Sequence, residues 1–328
     1  MHDRARLTSL IMMKRTLLFA LTVLIGHSTL QAQTHVDSDP ATNRRPRSDN
    51  TRGHVLAADA RVLRDIEYIP GGGERNRLDL YLPASGTNPA PVIVWVHGGA
   101  WLAGSKDECP ARRFVSLGYA VASINYRLSQ HAIFPAQIED CKAAIRWLRS
   151  RAAEYQFDTN RFAAWGASAG GHLVALLGTT GDTNLFDKGE NLDQSSAVQA
   201  VVDWFGPTDF TQMSKYSATN SPIDHDAPDA PEAMLIGGPV QRNKDKAAAA
   251  NPITYVSKTD PPFLIMHGDR DNIVPYQQSE LLREALEKAG VSVTLKIIEG
   301  AGHGFGGPEV NRVVEGFFDA QLKPKRAK

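Results

Sequence analysis

Phe162-Ala163-Ala164-Trp165-Gly166-Ala167-Ser168-Ala169-Gly170-Gly171-His172 is the stretch that decides the fold of this 328-residue chain. Apolar residues lead into a Gly-Ala-Ser-Ala-Gly turn, and residues 173–177 continue as an apolar run of helical length. This order predicts a strand, a tight turn and a helix, with Ser168 at the apex. The positions two residues from the serine must be small, because the turn is strained and larger side chains would collide with the strand or the helix. The alternative is a glycine-rich turn in which Ser168 only caps the helix.

Apolar runs on both sides of this stretch predict the remaining strands. Continuous apolar runs, which indicate strands buried on both faces, occupy residues 91–96, 119–124, 198–205 and 262–266. Between two of them, residues 138–148 repeat apolar side chains at three- and four-residue spacing, as an amphipathic helix does. Residues 62–68 and 78–83 predict an antiparallel hairpin at one edge. The fold class is therefore α/β, with a mostly parallel, doubly wound sheet.

One segment interrupts this alternation of strands and helices. Residues 211–251 are irregular and rich in Pro, Asp and Ala. A loop of this length inside a compact domain is usually functional, so we predict a small cap insertion over the site. The charged tract at residues 242–246 within it is interpreted as a solvated face.

The N-terminus has the features of an export signal. Met13-Lys14-Arg15 supplies a basic region, an apolar core follows up to Ile25, and Ala32 ends a matching cleavage site. The apolar core is too short for a bilayer, which requires about 20 residues. We predict an exported protein, periplasmic or secreted; the alternative is a cytosolic protein with an apolar N-terminus. The predicted organisation is a signal peptide at 1–32, a disordered linker at 33–58 and one α/β domain at 59–324.

Composition argues against several classes of partner and cofactor. The chain carries 36 basic and 36 acidic residues, so its formal net charge is zero. The charge therefore gives no reason to expect binding to nucleic acid or to an anionic membrane surface. No Cys/His cluster has the spacing of a metal site, and we expect neither a metal nor a cofactor. Cys141 lies on the apolar face of the predicted helix, which favours a buried free thiol, although export would permit a bridge to Cys109. The sequence does not determine the oligomeric state.

Ser168 can act as a nucleophile only beside a base that takes its proton. Residues 291–297 alternate as a further strand, and His303 lies in the glycine-rich loop after it, at the sheet edge where the serine turn also lies. Asp271 follows the preceding strand and can hold the histidine in the required tautomer. Asp269 is the rival for that role. The other histidines of the domain core are expected to brace loops or to pack: His97, His267 and His172.

A second glycine-rich loop, His97-Gly98-Gly99-Ala100-Trp101, follows the first buried strand. The oxyanion of a tetrahedral intermediate needs two or three convergent backbone N–H groups, each lowering the barrier by about 3–4 kcal/mol. A Gly-Gly sequence lets the backbone approach that closely. We predict the N–H groups of Gly99, Ala100 and Ala169 as the donors; the alternative is an ordinary turn after a strand. The residues alone therefore support a serine acyl hydrolase.

Together these motifs resemble the α/β-hydrolase superfamily, which has the same chain order of serine, aspartate and histidine. The His-Gly-Gly-x-Trp loop is similar to that of esterases near the hormone-sensitive-lipase-like enzymes, and the chain resembles the bifunctional feruloyl and acetyl-xylan esterases within them. Ala100 replaces a usual third glycine and Ala167 a usual Asp or Glu, which favours the feruloyl/acetyl-xylan group. The resemblance is carried by residues 78–83, 92–105, 118–127, 134–149, 165–177, 198–210 and 262–305.

The resemblance implies an α/β-hydrolase fold and a serine carboxylic-ester hydrolase. Such an enzyme works through a Ser-His-Asp triad and an acyl-enzyme, without a cofactor, on small-molecule or oligosaccharide esters such as acetylated or feruloylated plant polysaccharide. Two alternatives stay open: a prolyl-oligopeptidase-like serine peptidase, and a non-catalytic hydrolase fold that binds a ligand.

Three aromatic residues are expected to lie near the same sheet edge as the serine: Trp101, Trp204 and Phe205. The loops at the carboxyl ends of parallel strands surround the site, so we predict that these side chains line the substrate pocket. Each could instead be ordinary core packing. Aromatic walls suit acetyl and aryl esters better than long acyl chains.

Overall fold

The computed structural model describes residues 60–84 and 89–323. The predicted signal peptide at 1–32 and the predicted linker at 33–58 lie outside the described residues. In the part of the chain that is described, no helix is both long and apolar enough to cross a membrane.

An eight-stranded sheet forms the centre of the domain. Its strands are β1 (Arg61–Glu67), β2 (Arg77–Leu82), β3 (Ala90–Val96), β4 (Ala120–Ile124), β5 (Phe157–Ala167), β6 (Ala200–Trp204), β7 (Phe263–Gly268) and β8 (Val293–Ile298). Their order across the sheet is β1-β2-β4-β3-β5-β6-β7-β8. β2 pairs antiparallel with β1 and with β4, and the other pairs are parallel. The predicted antiparallel hairpin and mostly parallel sheet are confirmed.

Helices connect the strands. Within the described residues the α-helices are α1 (Ala136–Ser150), α2 (Ala152–Tyr155), α3 (Ala169–Thr179), α4 (Met213–Tyr216), α5 (Pro231–Ile236), α6 (Lys244–Ala250), α7 (Gln277–Ala289) and α8 (Pro308–Leu322). Residues 110–117, before β4, form a 3-10 helix. α7 is followed by Gly290, whose φ of 80° lies in the left-handed region that favours glycine after a helix end. α8 begins at Pro308, a residue whose fixed φ suits a first helical turn.

Successive side chains of the central strands pack on opposite faces of the sheet. In β3, Val92 and Val94 face the core under α1, α3 and α7, whereas Ile93 and Trp95 face the core under the 3-10 helix and α8. The strands are thus buried on both sides, which explains their continuous apolar sequences. Helices cover both faces, as a doubly wound sheet requires.

The segment predicted as a cap, residues 211–251, contains the three short helices α4, α5 and α6. It connects β6 to β7, whose carboxyl ends lie next to each other in the sheet. Arg242, Lys244 and Lys246 are exposed, as expected for a solvated tract. A capping role for the segment stays a prediction.

The two cysteines do not form a bridge. Both are free and buried, and they belong to different cores on opposite faces of the sheet. The sheet between them separates Cys141, on α1, from Cys109, at the start of the 3-10 helix. The free thiol predicted for Cys141 is confirmed, and the alternative of a disulfide bond is wrong.

Candidate active site

Ser168 occupies the turn between β5 and α3. Its backbone has φ 56° and ψ −122°, a strained conformation for a residue other than glycine. A Cβ added to Gly166 would lie 2.2 Å from the carbonyl oxygen of Gly170, and one added to Gly170 would lie 2.1 Å from that of Val96. Only glycine fits at these two positions, which explains the Gly-x-Ser-x-Gly pattern.

Hydrogen bonds join Ser168 to His303 and Asp271. The Ser168 hydroxyl donates to Nε2 of His303 at 2.9 Å, and Nδ1–H of His303 donates to Oδ2 of Asp271 at 2.7 Å. An ionised carboxylate can only accept, so Nδ1 carries the ring proton and Nε2 presents its lone pair to the serine. The structure brings the three predicted residues together. Their roles in catalysis stay a prediction.

Asp271 is buried and accepts hydrogen bonds on both oxygens. Oδ1 accepts from the backbone N–H groups of Ile273 and Val274, each at 2.9 Å, and Oδ2 accepts from His267 at 3.1 Å as well as from His303. Burial opposes ionisation of Asp271, but the hydrogen bonds from His267 and His303 outweigh it and hold the pKa of this carboxyl well below its usual range. The group is therefore an anion at neutral pH.

The rival acid, Asp269, points elsewhere. Its Oδ1 accepts from the backbone N–H of Gly300 at 2.6 Å, which ties two loops together. His267, in contrast, supports the triad as a bracing residue. Its Nδ1 accepts from the hydroxyl of Ser279 at 2.7 Å, so that Nε2 carries the proton that it donates to Asp271. The geometry favours Asp271 over Asp269.

Residues 97–104, which we call the oxyanion loop, approach the serine from β3. A Cβ added to Gly98 would lie 3.3 Å from Cβ of Ser168. Among the hydrogen bonds of the described residues, none uses the N–H of Gly99, Ala100 or Ala169. Ala169 also begins α3, so the positive end of that helix dipole lies at the serine. The three predicted oxyanion donors are thus available, and their function stays a prediction.

His97 is buried at the start of the oxyanion loop and braces it. Its Nδ1 lies 2.7 Å from the carbonyl oxygen of Gly98, and its Nε2 lies 3.2 Å from Nη2 of Arg75. Its ring stacks on Tyr126 with the centroids 4.4 Å apart. Burial, helped by the charge of Arg75, lowers the pKa of His97 to about 4, so the ring is neutral at physiological pH.

Phe205 lies beside the site, with its ring centroid 4.7 Å from that of His303, but its side chain is only 7% exposed. That it lines the substrate pocket stays a prediction. The side chain of Trp204 packs against other aromatic rings and not against His303. Its indole packs between Trp165 and Phe305, at centroid distances of 4.9 and 5.2 Å, within the aromatic core under the sheet. Because successive residues of a strand point to opposite faces, β6 directs Trp204 into that core. The expectation that Trp204 lines the pocket is corrected accordingly.

Trp101 is also a core residue, and the expectation that it lines the pocket is wrong. Its side chain is only 2% exposed and packs against Phe210 and His172 at 5.5 and 5.2 Å. Positive φ angles at Ala100 and Trp101, 55° and 57°, turn the chain so that the indole enters the core. His172 is buried there, as predicted, and its Nε2–H donates to the carbonyl oxygen of Ala250 at 2.6 Å.

Sequence reasoning did not identify three polar groups near the site. Arg75 contacts the oxyanion loop across 22 residues of sequence. Asp203 is fully buried at the end of β6, where its Oδ1 accepts from the N–H of Gly206 at 2.9 Å. His225 pairs with Glu232 inside the predicted cap at 2.9 Å. Their spacing carries no recognisable signal, because each partner is reached only through the folded chain.

Among the described residues, no group of three or more His, Cys, Asp or Glu side chains is placed to hold a metal ion.

Comparison with known proteins identifies the family. The family model described as BD-FAE matches residues 78–286, which is more than half of the chain. The chain belongs to the BD-FAE family. Its fold is that of the α/β-hydrolase esterases, as the resemblance implied.

Individual relatives of this BD-FAE chain are esterases. Esterase LipC of Mycobacterium tuberculosis is 34% identical over 223 residues, which cover 67% of this chain and 54% of LipC. Esterase LipQ of the same organism is 35% identical over 250 residues, covering 74% of this chain and 56% of LipQ. The chain thus spans about half the length of the curated relatives it matches.

Solved structures resemble the BD-FAE chain over most of its length. A truncated form of a carbohydrate esterase from gut microbiota is 35% identical with a TM-score of 0.73, covering 82% of this chain and 99% of that one. A bifunctional GH43-CE protein of Bacteroides eggerthii is 37% identical with a TM-score of 0.72, and the match covers 79% of this chain and 38% of that one. Propionate-bound Est2 of Thermogutta terrifontis, a thermophilic esterase, is 27% identical with a TM-score of 0.61. The match covers 82% of this chain and 97% of Est2.

Proposed function

We propose that this BD-FAE chain hydrolyses carboxylic esters through a serine acyl-enzyme, with Ser168 as nucleophile, His303 as general base and acid, and Asp271 as the residue that orients the histidine. The observation that carries the proposal is the continuous set of hydrogen bonds from the Ser168 hydroxyl through the His303 ring to Asp271. This arrangement activates a hydroxyl that is otherwise a poor nucleophile at neutral pH.

In the acylation step, Oγ of Ser168 attacks the ester carbonyl carbon while its proton passes to Nε2 of His303. The carbonyl oxygen becomes an oxyanion, which accepts hydrogen bonds from the N–H groups of Gly99, Ala100 and Ala169. The tetrahedral intermediate then collapses: the bond to the alcohol oxygen breaks, and Nε2–H returns the proton to that oxygen. The alcohol departs and the acyl group remains on the serine.

In the deacylation step, a water molecule takes the place of the alcohol. His303 removes a proton from the water as its oxygen attacks the acyl carbon, and the same N–H groups hold the second oxyanion. Collapse breaks the acyl–Oγ bond, and the proton on His303 returns to Ser168. Asp271 stays ionised throughout, because its role is to stabilise the imidazolium that forms in each step.

We further propose short-chain or aryl esters as substrates, such as the acetyl and feruloyl esters of plant polysaccharide. The names of similar proteins support a carbohydrate substrate, since two solved neighbours are described as a carbohydrate esterase and a bifunctional GH43-CE protein. Complexes of the neighbour Est2 with propionate and butyrate support a short acyl group. The ring of Phe205 lies 4.7 Å from that of His303 and is only 7% exposed, so a contact between it and an aryl acyl group is part of the proposal.

The test of the proposed function is turnover of 4-nitrophenyl acetate, compared with the matching 4-nitroanilide and with labelling by a serine-directed fluorophosphonate. We expect ester hydrolysis, labelling of Ser168 and little or no cleavage of the anilide. An enzyme that prefers the anilide would be a peptidase. A folded protein that neither turns over the ester nor reacts with the fluorophosphonate would be a binding protein.

We also propose that the protein is exported. The basic tripeptide Met13-Lys14-Arg15 and the apolar core up to Ile25 support this proposal. Intact-mass analysis of the protein expressed in a bacterium from its own N-terminus should show loss of the residues up to about Ala32. A cytoplasmic chain that keeps those residues would contradict export.

A further inference from the structure

Arg75 lies between β1 and β2, and its guanidinium reaches both ends of the oxyanion loop. Nη2 lies 3.2 Å from Nε2 of His97 at the start of the loop, and Nη1 donates to the carbonyl oxygen of Gly104 at its end, at 3.1 Å. Nε donates to the carbonyl oxygen of Tyr126, after β4, at 3.0 Å. One planar group therefore ties the loop to two neighbouring segments.

These contacts fix the tautomer of His97. A guanidinium can only donate, so Nε2 of His97 must accept and the ring proton must lie on Nδ1. Nδ1–H then donates to the carbonyl oxygen of Gly98 at 2.7 Å. A doubly protonated ring would direct an N–H against the N–H of Arg75, so the arginine keeps His97 in the form that holds the Gly98 carbonyl.

The direction of the Gly98 carbonyl determines where the next N–H points. In a trans peptide the C=O and the N–H project to opposite sides, and the one cis bond among the described residues is Phe134-Pro135. Because the Gly98 oxygen faces His97, the N–H of Gly99 faces away from that ring. Packing reinforces this direction, since a Cβ added to Gly104 would lie 2.4 Å from the Gly98 oxygen.

We propose that Arg75 is a positioning residue for the oxyanion loop. Through His97 and Gly104 it holds the Gly98–Gly99 peptide in the orientation that directs the Gly99 N–H toward the oxyanion. The inference rests on the proposed ester hydrolysis at Ser168. Arg75 contacts no reacting atom, so its loss should weaken stabilisation of the tetrahedral intermediate more than binding of the ester.

The test compares Arg75→Gln with Arg77→Gln, which removes the same charge two residues further along the chain. With 4-nitrophenyl acetate, Arg75→Gln should lower kcat about 10- to 100-fold and change KM by less than about threefold, a smaller loss than the roughly 10²- to 10³-fold expected when an oxyanion donor is removed. Arg77→Gln should leave kcat and KM close to those of the wild type, because Arg77 makes none of the contacts that hold the loop. Arg75→Lys keeps a charge but not the planar fork, and its kcat should lie between those of Arg75→Gln and the wild type.

A trifluoromethyl ketone forms a tetrahedral adduct with a reactive serine. Its inhibition constant reports on stabilisation of the oxyanion and would not change if Arg75 only stabilised the fold. Its inhibition constant should rise in Arg75→Gln by the factor by which kcat/KM falls. Arg75→Gln and a His97→Asn variant should also be coupled, with a combined loss smaller than the product of the separate losses.

Two results separate this inference from the proposed function. A wild type that hydrolyses the ester and is labelled at Ser168, together with an Arg75→Gln variant of unchanged kcat and inhibitor affinity, would overturn the role of Arg75 alone. A loss confined to KM would overturn it as well. A wild type that is neither active nor labelled would overturn the proposed function and, with it, the inference.

Discussion

Ser168 is held in its strained conformation, which costs roughly 1–3 kcal/mol, by the elements on either side. Its N–H donates to the carbonyl oxygen of Trp204 at 2.8 Å, and its own carbonyl oxygen accepts from the N–H of His172 at 3.0 Å. The strain is therefore offset by β6 and α3, which are among the most deeply buried parts of the domain. As a consequence, the Ser168 hydroxyl is already hydrogen-bonded to His303 before a substrate binds.

Mutations should distinguish the roles of the triad residues by how much each one lowers kcat. Ser168→Ala should lower kcat by about 10⁵- to 10⁶-fold and Asp271→Asn by about 10⁴-fold, because one removes the nucleophile and the other the group that fixes the histidine tautomer. Asp269→Asn is the matched control and should cost far less, since the Asp269 carboxylate accepts from the Gly300 N–H and not from His303. Steady-state kinetics on 4-nitrophenyl acetate, with melting temperatures as a check on folding, measure the effect. If Asp269→Asn cost more than Asp271→Asn, the acid would have to be reassigned.

Asp203 predicts a pH dependence of stability. Burial outweighs the hydrogen bond from the Gly206 N–H and raises the pKa of Asp203 to about 7. The folded state thus holds a proton that the unfolded state releases near pH 4, and stability falls as the pH rises from about 4 to 7. Asp203→Asn cannot ionise and should escape this loss.

Urea unfolding of wild type and Asp203→Asn at pH 5 and pH 8 measures the contribution of Asp203. Relative to the variant, the wild type should lose on the order of 2–4 kcal/mol of unfolding free energy between the two pH values. The comparison at two pH values cancels any constant cost of introducing the amide. Parallel pH profiles for the two proteins would show that Asp203 is ionised in the fold.

At the scale of elements, His225 attaches the segment of α4, α5 and α6 to the loop that carries the acid. Nδ1 lies 2.9 Å from Oε1 of Glu232, at α5, and Nε2 lies 3.1 Å from the carbonyl oxygen of Ile273. A carboxylate and a carbonyl both accept, so the ring needs a proton on each nitrogen. Burial lowers the pKa of His225, but the hydrogen bond to Glu232 and its charge outweigh burial and raise that pKa above the ordinary value.

A raised histidine pKa contributes stability that is fully present below about pH 6.5 and is lost as the pH rises through the folded-state value. His225→Gln should therefore lower the unfolding free energy by about 3 kcal/mol at pH 6, because it leaves Glu232 buried without its partner, and by less at pH 9. Guanidinium unfolding at the two pH values measures this difference. The double variant with Glu232→Gln is the control and should regain part of the loss at pH 6. An equal loss at both pH values would show that the pKa of His225 is not raised in the fold.

The strands and the triad could be predicted from sequence because their signals are local. Each buried strand is an uninterrupted apolar run, and Ser168 and His303 stand in glycine-rich turns that follow strands. The fate of Trp101 could not be predicted, since it depends on positive φ angles at two residues that are not glycine. The pairing of His225 with Glu232 and Ile273 depends on how an irregular segment folds back, and no sequence period encodes that.

At the scale of the whole molecule, the parallel sheet assembles the site from distant segments. Ser168 and His303 are 135 residues apart in sequence, yet their side chains bond directly. β3, β5, β6, β7 and β8 all run in the same direction, so the loops after them lie along one edge, where open α/β sheets bind their ligands. The segment of α4, α5 and α6 leaves the sheet at this same edge, after β6, and the prediction that it caps the site implies that it limits the size of the substrate.

The size of the acyl group is therefore the property of the whole molecule that can be tested most directly. The inserted helices α4, α5 and α6 have only 4, 6 and 7 residues, too short to form a long apolar lid over a lipid chain. Trp101, Trp204 and Phe205 are all buried, and Phe205 is the one of the three whose ring packs against His303. We expect kcat/KM to be highest for acetyl, other short-chain and aryl esters and to fall for longer chains.

A series of 4-nitrophenyl esters from acetate to decanoate, with a feruloyl ester alongside, measures this preference. In a deep acyl tunnel each added methylene would contribute up to about 0.8 kcal/mol of burial, and kcat/KM would rise steadily along the series. A site that ends after a short acyl group gains nothing from the added carbons, which remain in water. If Phe205 contacts the acyl group as proposed, Phe205→Ala should reduce kcat/KM for the feruloyl ester more than for the acetate, because the aryl group would lose a neighbouring aromatic ring. A steady rise up to decanoate would identify the site as a lipase tunnel and overturn the proposed substrate class.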